Sequence, residues 1–232
     1  MQAGMRDWMK MIPAADMQVY KKAGFLGELT VGERTALIVV DVTMGFCGSE
    51  GLSLDQAIVE FPTACGPSSW IAMPRIARLV GLFRRLNFPI VYTLSDEYAK
   101  GFTGKTTKGV RRDTPARFNE FPAAIAPRKQ DWTLAKTKAS VFFHTPLTTY
   151  LTKLNIDTLV FCGVATSGCV RASVVDGLSN GYRTFVVDEC CFDRSEFADA
   201  ANLFDMHAKY AVVLSLEETE AMLTGRKLAA AE

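Results

Sequence analysis

Cys169 follows the stretch Gly163-Val164-Ala165-Thr166-Ser167-Gly168, whose small residues let the chain bend sharply and let a ligand approach the backbone. Before the turn, Thr158 to Cys162 is a short apolar run with the length and β-branched content of a buried strand. After it, Val170, Ala172, Val174, Val175 and Leu178 are spaced for one face of a helix. The segment reads as strand, tight turn and helix, with Cys169 at or just before the first helical turn. Unpaired backbone N–H groups and the positive end of the helix dipole favour a thiolate there, which predicts a lowered thiol pKa and a nucleophile. The same N–H groups could hold an oxyanion. Cysteine is more often a small core side chain than a catalyst, and Cys162, inside the apolar strand, reads that way. A phosphate-binding turn is the main rival, but neither G-x-x-x-x-G-K-[ST] nor G-x-G-x-x-G occurs in the stretch.

Two charged side chains end other apolar runs. Asp41 closes Thr35 to Asp41, a run apolar enough for a central strand covered on both faces, and Lys136 follows the short run Trp132 to Ala135. An isolated aspartate at such a place is ordinarily a cap or turn residue, and a lysine a solvated side chain. In a parallel sheet, however, both would emerge at the edge where α/β proteins gather ligands.

The elements that must carry these side chains alternate along the chain. Strands are predicted at Thr35 to Asp41, Phe88 to Leu94, Trp132 to Ala135, Thr158 to Cys162, Tyr182 to Val187 (ending at Asp188) and Ala211 to Leu214. Helices are predicted at Pro67 to Leu86, Pro146 to Leu154, after Gly168, at Ser195 to Lys209 with Ser195 as cap, and at Glu217 to Leu223. Right-handed crossovers between them give a three-layer α/β/α fold with a mostly parallel, Rossmann-like six-stranded sheet, in which the three strand ends share one crevice. Val42 to Trp70 and Ser95 to Arg128, rich in Gly and Pro, read as long loops forming a lid. Residues 1–33 read as an N-terminal arm with short helical pieces around Met5 to Met11 and Ala15 to Gly24, and 34–232 as the domain proper. The arm's Trp8, Met9, Met11 and Tyr20 must pack on something, either this domain or a neighbouring subunit.

Composition excludes several classes. With 232 residues, 49% apolar, the chain can bury one well-formed core. Net charge is +1 and no long basic block occurs, so neither nucleic acid nor a membrane surface is indicated as a partner. The six cysteines lack C-x-x-C spacing and are accompanied by two histidines, which argues against structural zinc and against a secreted disulfide framework. The charged N-terminus resembles neither a signal peptide nor a membrane span, and a cytoplasmic location is expected.

Larger motifs carry a resemblance. They are ALIVVDV with Asp41, K-x-x-x-S-x-F-F-x-T with Lys136, Ser140 and Thr145, GVATSGCVRAS with Cys169, GYRTFVVDECCFDRSE, and ANLFDMHAKYA. Across Thr35 to Val213 the chain resembles the isochorismatase-like cysteine hydrolase superfamily, most of all its N-carbamoylsarcosine amidase and maleamate amidase group; the 46–70 loop and the arm depart from that pattern. The resemblance implies a triad of Asp41, Lys136 and Cys169, a cis peptide at Val164–Ala165, an oxyanion hole from the N–H groups of Ala165 and Cys169, and substrate contacts from Arg194 and Thr166. It implies a small-molecule substrate, no cofactor, and a homo-oligomer, tetramer or dimer. Related nicotinamidases hold a metal through an aspartate and histidines; residues 42–131 contain no histidine, so no such metal is expected. Hydrolysis of a vinyl ether needs no cysteine, so Cys169 favours amide chemistry. The expected activity is hydrolysis of the terminal C–N bond of a small N-carbamoyl or carboxamide acid through a thioester, releasing ammonia. The alternatives are a neutral ureido or biuret-like amide cleaved by the same triad, and a non-catalytic binding module.

Overall fold

The computed structural model describes residues 7–96 and 116–225. Most of the 95–128 segment expected to form a lid lies outside them. Six parallel strands form the sheet: β1 Thr35–Val40, β2 Ile90–Ser95, β3 Trp132–Lys136, β4 Thr158–Val164, β5 Arg183–Phe192 and β6 Val212–Leu214, in the order β3-β2-β1-β4-β5-β6. The helices are α1 Asp7–Lys10, α2 Ala14–Lys22, α3 Met44–Cys47, α4 Leu54–Glu60, α5 Pro67–Arg85, α6 Leu147–Lys153, α7 Arg171–Ser179, α8 Glu196–Lys209 and α9 Leu216–Thr224.

Every residue of β1 and β4 is buried, because each of their faces is covered by helices. The alternation along β1 divides the apolar interior in two. Leu37 and Val39 face a core with Ile76, Leu79 and Phe83 of α5, whereas Ala36, Ile38 and Val40 face one with Leu151 of α6, Val174 of α7 and Leu203 of α8. The strand order reverses direction between β1 and β4, and in such sheets the crevice beyond the strands' carboxyl ends opens at that point.

Two sequence expectations change. The stretch Val42 to Trp70 is not a long loop: it folds into α3, α4 and the start of α5, with Met44, Ala57, Phe61 and Ala64 forming a small buried cluster against Phe118. Ser53 and Gln56 make a reciprocal capping box that starts α4. The strand β5 does not end at Asp188 but runs to Phe192 through two carboxylates. It can do so because both find donors: Trp8 Nε1 lies 3.0 Å from Asp188 Oδ2, and Leu216 N lies 2.6 Å from Glu189 Oε2. The N-terminal arm packs on its own chain, with Trp8 buried edge-on to His207 at 5.7 Å and Tyr20 against Phe204 at 5.1 Å. Among the described residues no helix is long and apolar enough to cross a membrane.

Gly163 has φ +116° in β4, and a Cβ there would collide with Val40 O and lie 2.8 Å from Val40 N of the adjoining strand. Gly163→Ala is therefore expected to destabilise the fold by about 3 kcal/mol or more, through strain and clash together. Gly181→Ala, at φ +90° with open space around it, should cost only about 1 kcal/mol. Urea unfolding midpoints of the two variants check this, and equal losses would contradict it.

Candidate active site

Asp41 is the first residue past β1 and adopts φ +53°, a left-handed conformation that aspartate tolerates better than most residues. The turn presents its carboxylate beyond the sheet, where it is fully buried. Its Oδ1 accepts a hydrogen bond of 2.7 Å from Thr93 Oγ1, and the same hydroxyl accepts Asp41 N at 3.0 Å. Its Oδ2 lies 2.6 Å from Lys136 Nζ in a buried ion pair.

Lys136 ends the edge strand β3 and its side chain is only 4% exposed, far from the solvated lysine that its position alone would suggest. Besides Asp41, Nζ donates to Lys138 O at 3.1 Å and to Cys169 Sγ at 3.4 Å. Burial works against the ammonium charge, but Asp41 and Cys169 more than offset it and hold the lysine pKa above its usual value.

Cys169 lies inside a single π-helical turn, Thr166–Val170, that joins β4 to α7. This corrects the expectation of a thiol at an open helix start with a lowered pKa. Burial, and next the Asp41 carboxylate, push the Cys169 thiol up to about 12, while Lys136 pulls the other way. The balance favours the neutral thiol, beside a carboxylate that can take its proton.

The peptide Val164–Ala165 is cis. Within the turn, Gly168 N and Val170 N donate to Ala165 O at 2.9 and 3.1 Å, and Ser167 N donates to Asp193 Oδ2 at 2.9 Å. Thr166, expected to touch substrate, is fully buried. It neighbours Asp199 of α8, a carboxyl that burial pushes up to about 6 while Thr166 opposes the shift. Arg194 is exposed and its Nη2 donates to Thr63 O at 2.6 Å. The structure thus brings Asp41, Lys136 and Cys169 into contact; it leaves Arg194 on a backbone carbonyl and Thr166 buried beside Asp199. Sequence reading missed Thr93, which sits in β2 among apolar residues and looks there like an ordinary strand threonine.

The family model described as the isochorismatase domain matches residues 35–218, which include all three grouped side chains. The chain belongs to the isochorismatase family. It is 32% identical over 193 residues to a maleamate amidohydrolase of Pseudomonas putida, covering 81% of this chain and 85% of that one. To an N-carbamoylsarcosine amidase of Arthrobacter it is 24% identical over 217 residues, covering 88% of this chain and 76% of the other. A cysteine hydrolase structure from Pseudomonas syringae shares the isochorismatase-like α/β fold at a TM-score of 0.71 with 19% identity, covering 87% of this chain and 100% of that one.

Because Asp41 raises the thiol pKa and Lys136 lowers it, removing the carboxylate charge should free the thiolate. Cys169 in the Asp41→Asn variant is expected to react with iodoacetamide at pH 7.5 at least ~10-fold faster than in the unaltered protein, a change of about one unit in thiol pKa. Peptide mapping of the alkylated cysteine measures the rate, and slower or unchanged labelling would show that Asp41 does not govern the thiol.

Proposed function

We propose that this isochorismatase-family protein is a cysteine amidohydrolase that needs no metal and cleaves the terminal C–N bond of a small carboxamide or N-carbamoyl acid, releasing ammonia. The observation that carries this reading is the contact chain from Asp41 Oδ2 to Lys136 Nζ, 2.6 Å, and from Nζ to Cys169 Sγ, 3.4 Å, at the carboxyl end of a parallel sheet. A surface binder has no use for a buried ion pair held against a thiol. The names of the two amidase relatives support the choice of an amide, and the maleamate amidohydrolase, the more similar of the two, supports a carboxamide acid.

In this mechanism Asp41 takes the thiol proton as Sγ attacks the carbonyl carbon. Lys136 remains an ammonium and stabilises the sulfur as negative charge gathers there. The oxygen of the tetrahedral intermediate is held, as the family resemblance implies, by the N–H groups of Ala165 and Cys169; those of Ser167, Gly168 and Val170 are engaged within the turn region. Asp41 then returns its proton to the departing nitrogen, the C–N bond breaks, and ammonia leaves a thioester on Cys169. Water, deprotonated by Asp41, attacks the thioester carbon; the C–S bond breaks and the thiol regains its proton. A raised thiol pKa suits this cycle, because proton transfer and carbon–sulfur bond formation occur together and no reactive thiolate waits between turnovers.

In the acid reading Arg194 exchanges its contact with Thr63 O for a substrate carboxylate, which its planar fork can grip through two hydrogen bonds. The observed contact of Arg194 with a carbonyl oxygen favours one second reading, in which the substrate is a neutral ureido or biuret-like amide and the arginine holds its carbonyl.

Ammonia release from maleamate, N-carbamoylsarcosine, biuret and nicotinamide distinguishes the readings. The acid reading expects turnover of maleamate or N-carbamoylsarcosine, loss of more than about 10⁴-fold in Cys169→Ala, and a KM for acids raised at least ~10-fold in Arg194→Ala. Equal losses for acidic and neutral amides would remove the carboxylate from Arg194. Removal of the Thr93 hydroxyl should also slow the chemistry: Thr93→Val is expected to lower kcat about 10- to 100-fold with KM little changed, as loss of one charge-assisted hydrogen bond to the base implies. Steady-state kinetics on the preferred substrate measure it, and an unchanged kcat would show that Asp41 keeps its aim without Thr93.

A further inference from the structure

One buried carboxylate next to the candidate site takes no part in the cycle described above. Asp193 follows β5 directly, is 7% exposed, and points its side chain at the turn that carries the nucleophile. Its Oδ2 accepts two hydrogen bonds from a single residue of that turn, from Ser167 N at 2.9 Å and from Ser167 Oγ at 2.6 Å. Its Oδ1 accepts Arg194 N at 2.8 Å. Its own carbonyl oxygen accepts Ser68 Oγ, 2.8 Å away in the first turn of α5. Ser167 stands midway between Ala165 and Cys169, whose N–H groups are assigned above to the oxyanion. A residue clamped there by two charge-assisted hydrogen bonds cannot rotate without moving both donors.

We propose that Asp193 is a positioning residue for the nucleophile turn: through Ser167 it fixes the Ala165 and Cys169 N–H groups against the Cys169 sulfur, and through the Arg194 backbone it ties that turn to the substrate-gripping side of the crevice. It touches neither substrate nor the reacting atoms. Three features support the assignment. The carboxylate is removed from water and fully engaged by turn and loop groups, which makes its hydrogen bonds stronger and its geometry firmer than a surface contact would be. The register shift of β5 against β4, between Phe161 and Gly163, sets the end of β5 alongside the turn, with Val164 opposite Phe192. Catalytic hydrogen bonds also lose their effect with displacements of about 1 Å, for which losses near 100-fold in rate are typical. The assignment rests on the amidohydrolase reading for its effect on turnover, but not for its effect on the thiol.

Three variants and two readouts test it. In Asp193→Ala both acceptors are lost; kcat is expected to fall about 100-fold for acidic and neutral amides alike. In the same variant Cys169 should be alkylated by iodoacetamide at pH 7.5 at least ~10-fold faster, because a loosened turn lets the thiol reach water. Asp193→Asn with its amide oxygen in the place of Oδ2 keeps the acceptor for both Ser167 N and Ser167 Oγ and gives up only the acceptor for Arg194 N, so it should restore most of kcat and most of the slow alkylation. Ser167→Ala, which removes only the hydroxyl contact, should fall between them. A role confined to fold stability would lower the melting temperature in Asp193→Ala while leaving kcat per folded molecule and the alkylation rate untouched, and that result overturns the proposal. So does a rise limited to KM. If Cys169→Ala retained full activity, the amidohydrolase reading would fail on its own, and the alkylation rates of the Asp193 variants would still decide whether this carboxylate positions the turn.

Discussion

The ion pair between Asp41 and Lys136 sets the terms for everything around it. Two opposite charges removed from water are tolerable only when each is held in good geometry with its remaining capacity satisfied, because the desolvation cost of either alone is several kcal/mol. The surroundings answer that demand one group at a time. Thr93 supplies a hydroxyl to one carboxylate oxygen, Lys138 supplies a carbonyl to the ammonium, and Cys169 takes a third direction on the same nitrogen. These groups come from β1, β2, β3, the chain just after β3, and the turn after β4, so a pair that must be paired also fixes how four strand ends meet. The direction of the thiol pKa follows from the same arrangement: burial and, next, the carboxylate discourage negative charge on the sulfur and raise it, while the ammonium pulls it down.

Much of this was legible in the sequence, for reasons that differ by residue. Strands buried on both faces leave uninterrupted apolar runs, so β1 and β4 could be located almost to the residue, and with them the polar side chains at their ends. That Asp41, Lys136 and Cys169 would meet followed from the parallel order of strands and from the resemblance of their motifs, not from their spacing along the chain. What did not show was contact across the sheet. Thr93 is indistinguishable in sequence from a threonine chosen for its β-branched shape, and only the pairing of β2 with β1 makes it a partner of Asp41.

Other misses have equally local causes. The sequence places the end of β5 too early because Asp188 and Glu189 break an apolar run; their donors come from Trp8, 180 residues away, and from Leu216 at the start of α9. The compact 42–66 segment reads as a loop in sequence because its helices are one and two turns long, below the length at which hydrophobic periodicity is visible, although Ser53 and Gln56 carry a capping signal. The thiol departs from its expected pKa for a reason of another kind. A helix start favours a thiolate when the sulfur faces water and the bare N–H groups, whereas here the chain makes a π turn and delivers the sulfur to a carboxylate.

The position of β3 gives the sheet an unusual property. Lys136 belongs to the outermost strand, paired on one side only, and its side chain must cross beyond the end of β2 to meet Asp41 past the end of β1. Side chains on a strand alternate between faces, so a slip of one residue between β3 and β2 would carry the ammonium to the wrong side and put Ala135 or Thr137 in its place. An edge strand is also where a sheet opens first, at a free energy well below that of global unfolding. The buried ion pair is therefore tied to the hydrogen-bond ladder at one margin of the sheet: on the amidohydrolase reading, turnover reports whether that edge strand is in register.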